Sequence, residues 1–106
     1  MHHFGIVMPM SALQEITASL AQLKPVLMTR YHVKSIGLFG SVVRPDFSEA
    51  TSDVDVIVEF NEPIGIEFVD LAQFLESHIH RKIDVVSRQG IKPKYLRQLE
   101  SEIVYV

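Results

Sequence analysis

Two short stretches carry residue types able to do phosphate and metal chemistry: Phe39-Gly40-Ser41-Val42-Val43-Arg44 and Ser52-Asp53-Val54-Asp55. In the first, an apolar run ends at a glycine and enters what reads as a short helical turn. Glycine lets the backbone approach a ligand closely, and the free N–H groups of a helix start attract anions. Ser41 adds a hydroxyl donor, and Arg44 can aim a guanidinium at the same place. Taken alone, Gly-Ser after a strand also reads as the turn before a surface helix. In the second stretch, the two carboxylates project from one face of a strand, ~6.6 Å apart. With an effective dielectric of about 20 they repel by about 2.5 kcal/mol. A cation would offset that repulsion, and oxygen-only ligands favour magnesium or a similar hard ion. The alternative is a solvated strand start, where screening removes the repulsion.

The two features gain force together. The phosphate turn ends one predicted strand, and the carboxylates open the next. If these strands are neighbours, a triphosphate on the turn lies beside a metal on the carboxylates, as phosphoryl and nucleotidyl transfer require.

The elements that must position these groups can be read from periodicity. Ser11 followed by Gln14 has the form of a capping box. Leu13, Ile16, Leu20, Leu23 and Leu27 then form one apolar stripe of a helix running to about Tyr31, with a kink or restart expected at Pro25. Ser35 to Phe39 is a short buried strand. Val54, Val56, Val58 and Phe60 alternate with Asp53, Asp55, Ile57 and Glu59, a period of two that fixes a second strand. Phe68, Leu71, Ala72, Leu75 and Ile79 mark a second helix, and Lys82 to Ser87 a third strand. Pro93 suits the first turn of a last helix, with Leu96, Leu99 and Ile103 on one face. The expected class is α/β (α+β), a small mixed sheet flanked by helices. Residues 1–10 read as a flexible N-terminal arm and residues 11–106 as a single domain.

Composition narrows the function. The 106 residues are an ordinary size for one domain, and 47% hydrophobic with 22% charged side chains argues against disorder. The absence of cysteine excludes disulfides and thiolate zinc sites and fits a reducing, cytoplasmic setting. Ten basic against thirteen acidic side chains, with no basic stripe, argue against direct nucleic-acid binding. No apolar run approaches the ~20 residues of a membrane helix, and no basic residue precedes the short apolar stretch at the start, as a secretory signal would need. His78 and His80 have a His-x-His spacing, but at a helix end the two side chains diverge and read as solvated.

Gly40-Ser41, Arg44 and Ser52-Asp53-Val54-Asp55, with a further aspartate in Arg81-Lys82-Ile83-Asp84-Val85-Val86, resemble the DNA polymerase beta-like nucleotidyltransferase superfamily, in particular its minimal, MNT-type branch. The resemblance extends over nearly the whole chain, from Ile36-Gly37-Leu38-Phe39 to the closing Ile103-Val104-Tyr105-Val106. It departs at Pro45 and at His80, both positions where the family often has glycine. His80 tolerates a positive φ better than most residues.

The resemblance implies that Asp53, Asp55 and Asp84 are the catalytic residues and hold magnesium, two ions with bound ATP. Asp84 would also help to deprotonate the attacking hydroxyl. It implies that Gly40, Ser41, Arg44 and Ser52 bind the nucleotide. Without the family, Asp84 reads as a strand-end residue paired with Lys or Arg. Larger members carry a second domain for the acceptor; here the acceptor is expected to be small or supplied by another polypeptide. The resemblance therefore implies the antitoxin of a HEPN/MNT toxin–antitoxin pair, transferring AMP from ATP to a tyrosine of a HEPN ribonuclease toxin. Two other functions stay open: a non-catalytic antitoxin that neutralises by contact, and a small-molecule nucleotidyltransferase completed in an oligomer.

Overall fold

Ser11 opens the first helix through a reciprocal cap: its hydroxyl oxygen accepts the Gln14 N–H at 3.1 Å, and its own N–H donates to the Gln14 side chain at 2.9 Å. In the computed structural model, residues 11–44, 47 and 53–106 are described. The expected arm at residues 1–10, Pro45 and Ser52 lie outside the described residues. Helix α1 spans Ala12–Arg30 as one continuous helix through Pro25, so the helix does not restart there. The physical reason is local. Pro25 faces solvent, while Leu20 and Leu27, before and after it, are fully buried and tie both halves to one core.

The chain then turns through His32, whose φ of 57° is left-handed, into β1 (Val33–Phe39). Strand β2 (Val54–Phe60), helix α2 (Glu67–Ile79), strand β3 (Ile83–Ser87), helix α3 (Pro93–Glu100) and strand β4 (Val104–Tyr105) follow. The four strands form one sheet in the order β3-β2-β1-β4. β1 is antiparallel to both neighbours, and β2 and β3 are parallel, joined through α2. The expected mixed sheet with helices is what forms. Among the described residues no helix is long and apolar enough to cross a membrane.

Alternation decides which side of β2 does what. Val54, Val56 and Val58 join Ile36 and Leu38 of β1 in a core closed by Ile16, Leu20 and Leu27 of α1 and Leu71 and Leu75 of α2. Burying these aliphatic side chains supplies the main drive for folding, at about 1.5–3 kcal/mol each. The alternate residues Asp55, Ile57 and Glu59 therefore project from the other face. His80 ends α2 with φ 59°, the left-handed cap that its place before Arg81 suggests.

Two details of the C-terminus differ from the sequence reading. Helix α3 stops at Glu100, so Ile103 is not part of its apolar face. The residues after it make a fourth strand, with Tyr105 opposite Gly37 and Val104 opposite Leu38. Ile103 lies over the sheet: a Cβ at Gly37 would stand 2.6 Å from its Cγ2. Gly37→Ala is accordingly expected to destabilise the protein by about 1–3 kcal/mol through overpacking. Urea unfolding measures it, and the additional loss on Gly37→Ala should shrink in an Ile103→Ala background, where the Cγ2 it meets is gone.

Candidate active site

The antiparallel register sets Phe39 opposite Asp55, so the end of β1 meets the start of β2. Gly40 follows with φ +73°, a left-handed conformation that strongly favours glycine. It is required there a second time: a Cβ at Gly40 would stand 2.4 Å from Oδ2 of Asp55. The backbone of the turn thus lies directly against the Asp55 carboxylate. Gly40–Val43 then form a 3-10 turn, anchored by buried Val42 and closed by the Arg44 N–H donating to the Ser41 carbonyl at 3.0 Å. The first N–H groups of such a turn have no partner within it, which suits them to an anion.

The parallel register of β2 and β3 sets Asp84 opposite Asp55. Paired residues on adjacent strands project from the same face, so both carboxylates point away from the aliphatic core. Asp53 is exposed immediately before β2. Burial pushes the Asp55 carboxyl above the usual carboxylate range, and the negative charges of Asp84 and then Asp53 push it further; Arg44 acts in the opposite direction. The three aspartates and Arg44 therefore share one electrostatic environment. Carboxylate oxygens under mutual repulsion are the donor set that a hard divalent cation satisfies. Among the described residues, no three acidic or histidine side chains are already drawn in around one ion position.

The raised Asp55 fixes a pH trend. Its folded form holds a proton more tightly than its unfolded form, so its contribution to stability is complete at acid pH. That contribution is lost as pH rises through the folded pKa. Without metal, Asp55→Asn is thus expected to melt higher than the wild type at neutral pH, by a margin that narrows as pH falls. Calorimetry in chelator-treated buffer across this range measures the difference.

The structure also supplies a residue that sequence reasoning passed over. Glu102, between α3 and β4, faces Arg44 with 3.7 Å between the carboxylate and the guanidinium. No local pattern could have found it, because the pair exists only once β4 has added to β1. Of the sequence-derived candidates, Gly40, Ser41, Arg44, Asp53, Asp55 and Asp84 gather at this end of the sheet, and Ser52 lies outside the described residues. His78 is elsewhere, its ring nitrogen 2.9 Å from the Phe74 carbonyl on α2.

Comparison with known proteins agrees with this architecture. A family profile described as a nucleotidyltransferase domain matches residues 20–106. The protein adenylyltransferase MntA of Thermococcus cleftensis is 37% identical over 100 residues, covering 93% of this chain and 100% of the relative. A Methanocaldococcus jannaschii relative, provisionally named a protein adenylyltransferase, is 37% identical over 101 residues, covering 92% of this chain and all of its own length. Among solved structures, one provisionally described as a minimal nucleotidyltransferase superposes with a TM-score of 0.68 at 27% identity, over 84% of this chain and 93% of its own. A chain from the complex of a tri-AMPylated Shewanella oneidensis HEPN toxin with an MNT antitoxin shares the fold, with a TM-score of 0.55 at 23% identity over 81% of this chain and 68% of its own. By sequence and fold, this chain belongs to the nucleotidyltransferase domain family, and it is an enzyme of that family.

Proposed function

We propose that this nucleotidyltransferase is a magnesium-dependent protein adenylyltransferase, moving AMP from ATP to a tyrosine hydroxyl of a partner HEPN-domain ribonuclease and so acting as its antitoxin. Residues 11–106 act as one catalytic domain in the cytoplasm. The observation that carries the reading is the packing of Gly40 against Asp55, within the field of Asp84 and Asp53. It brings phosphate-binding backbone and a repelling set of carboxylates to one point, as nucleotidyl transfer needs. The resemblance to the MNT-type branch and the names of two relatives at 37% identity support the protein acceptor.

In this reading the Gly40 and Ser41 N–H groups and the Ser41 hydroxyl donate to the β- and γ-phosphates. Ser52 adds a further contact, and Arg44 supports them with its positive charge. Asp53, Asp55 and Asp84 hold the magnesium, which when bound neutralises charge on the triphosphate. Asp84 also accepts the proton of the attacking hydroxyl. The tyrosine oxygen forms a bond to the α-phosphorus, the bond to the bridging oxygen breaks, and pyrophosphate leaves with the electron pair. In-line geometry of this kind lets positioning and electrostatics supply most of the acceleration.

Intact-mass spectrometry of a co-purified HEPN partner, after incubation with this chain, ATP and magnesium, tests the proposal. The expected result is a partner heavier by one or more AMP units, with no increase when the chain is Asp53→Asn/Asp55→Asn. A partner of unchanged mass that is nevertheless inhibited by both proteins would reject catalysis in favour of neutralisation by contact.

A further inference from the structure

Glu102 stands in a stretch of chain that is fixed on both sides. Its N–H donates to the Leu99 carbonyl of α3 at 2.9 Å. Arg88 clamps the residues around it, donating to the Glu100 carboxylate and, at 2.8 Å, to the Tyr105 hydroxyl. Beyond it, Val104 and Tyr105 pair with β1, and the Val106 N–H donates to the Ile36 carbonyl at 2.9 Å. Val104 lies opposite Leu38 on an antiparallel strand, so two residues earlier Glu102 comes level with Gly40. A carboxylate is thus held beside the phosphate turn on its β4 side, whereas Asp55 and Asp84 come from β2 and β3 on the other.

Arg44 lies between these acidic groups. Its backbone is fixed by the N–H bond to the Ser41 carbonyl, but its side chain is 57% exposed and has room to move. Glu102, 33% exposed, is 3.7 Å from the guanidinium, and the charge of Arg44 also reaches Asp55. A guanidinium drawn fully onto Asp55 would occupy the position that a hard cation needs. An ion pair as open as Arg44–Glu102 adds little to stability. Its consequence lies in where it keeps the guanidinium.

We propose that Glu102 is a positioning residue, holding Arg44 beside the phosphate turn and out of the set formed by Asp53, Asp55 and Asp84. Those carboxylates are then left to the cation, and the guanidinium to the triphosphate. This role presupposes that the aspartates take the metal and that the Gly40-Ser41 turn takes the phosphates. Charge alone would give Glu102 the opposite effect, because a carboxylate beside the turn repels a triphosphate. The sign of the effect therefore separates positioning from simple electrostatics.

Calorimetric titration of the full chain with magnesium and an ATP analogue blocked at the α,β-bridge tests this. Glu102→Gln is expected to weaken binding about three- to fivefold. In an Arg44→Gln background the same substitution should no longer weaken binding, because the group that Glu102 positions is gone. Glu102→Ala carries the same expectations and covers the case in which Glu102→Gln does not fold. Binding by these variants that equals or exceeds that of the wild type would overturn the proposal. So would an equal loss in the Arg44→Gln background, which would mean that Glu102 does not act through Arg44. Asp55→Asn is the control. Should it bind the analogue as tightly as the wild type, the aspartates are not the metal site, and the proposal falls for that separate reason.

Discussion

Asp55→Asn is expected to lower nucleotidyl transfer by at least about 10^3-fold, while leaving a protein that melts no lower than the wild type in metal-free neutral buffer. The two halves of this result have one cause. The Asp55 carboxylate stands partly buried between Asp84 and Asp53, where its charge is unfavourable until a cation arrives. Asparagine keeps the shape and removes the charge, so the apo fold loses a repulsion and the holo site loses a ligand. Magnesium with a nonhydrolysable ATP analogue should raise the melting temperature of the wild type and leave that of Asp55→Asn nearly unchanged. Saturating a site at about 100 times its Kd stabilises by about 2.7 kcal/mol, which is ample for detection. A variant that is inactive only because it unfolds would contradict this reading.

Gly40→Ala carries the second large effect. An alanine in the left-handed region pays a strain of about 1–2 kcal/mol. Its Cβ would also come to 2.4 Å from Oδ2 of Asp55, so either the turn or the carboxylate must move. A displacement of about 1 Å in a site of this kind costs on the order of 10^2 in rate. The expected outcome is therefore a loss of transfer of about 100-fold, with stability lowered by about 1–2 kcal/mol or more. A double-mutant cycle separates strain from collision. In an Asp55→Ala background the collision partner is gone, so Gly40→Ala should cost less stability than it does alone. Equal costs in the two backgrounds would mean that the glycine serves backbone conformation only.

Much of this was legible in the chain because it is written locally. The valines of β2 alternate strictly, so one strand pattern fixes both the buried face and the direction of Asp53 and Asp55. The Ser11–Gln14 cap, the α1 stripe and the His80 helix end are also local signals. What the chain hid depends on partners remote in sequence. Strand β4 has two residues and acquires its identity only by pairing with Gly37 and Leu38. The contact of Ile103 with Gly37 and the pairing of Arg44 with Glu102 follow from that same late addition. Pro25 does not restart the helix for a related reason, since tertiary burial on either side of it outweighs the one hydrogen bond it removes. Asp84 carried no local signal beyond family resemblance. Its position opposite Asp55 comes from the parallel register, which periodicity cannot supply.

Asp84 is also the residue on which the account is most exposed. A crystal structure of the chain with magnesium and an ATP analogue blocked at the α,β-bridge measures its role directly. The expected result is metal bound by Asp53, Asp55 and Asp84 together, with the β- and γ-phosphates on the Gly40-Ser41 turn. An ion that leaves Asp84 unused, or phosphates bound away from Gly40-Ser41, would contradict it.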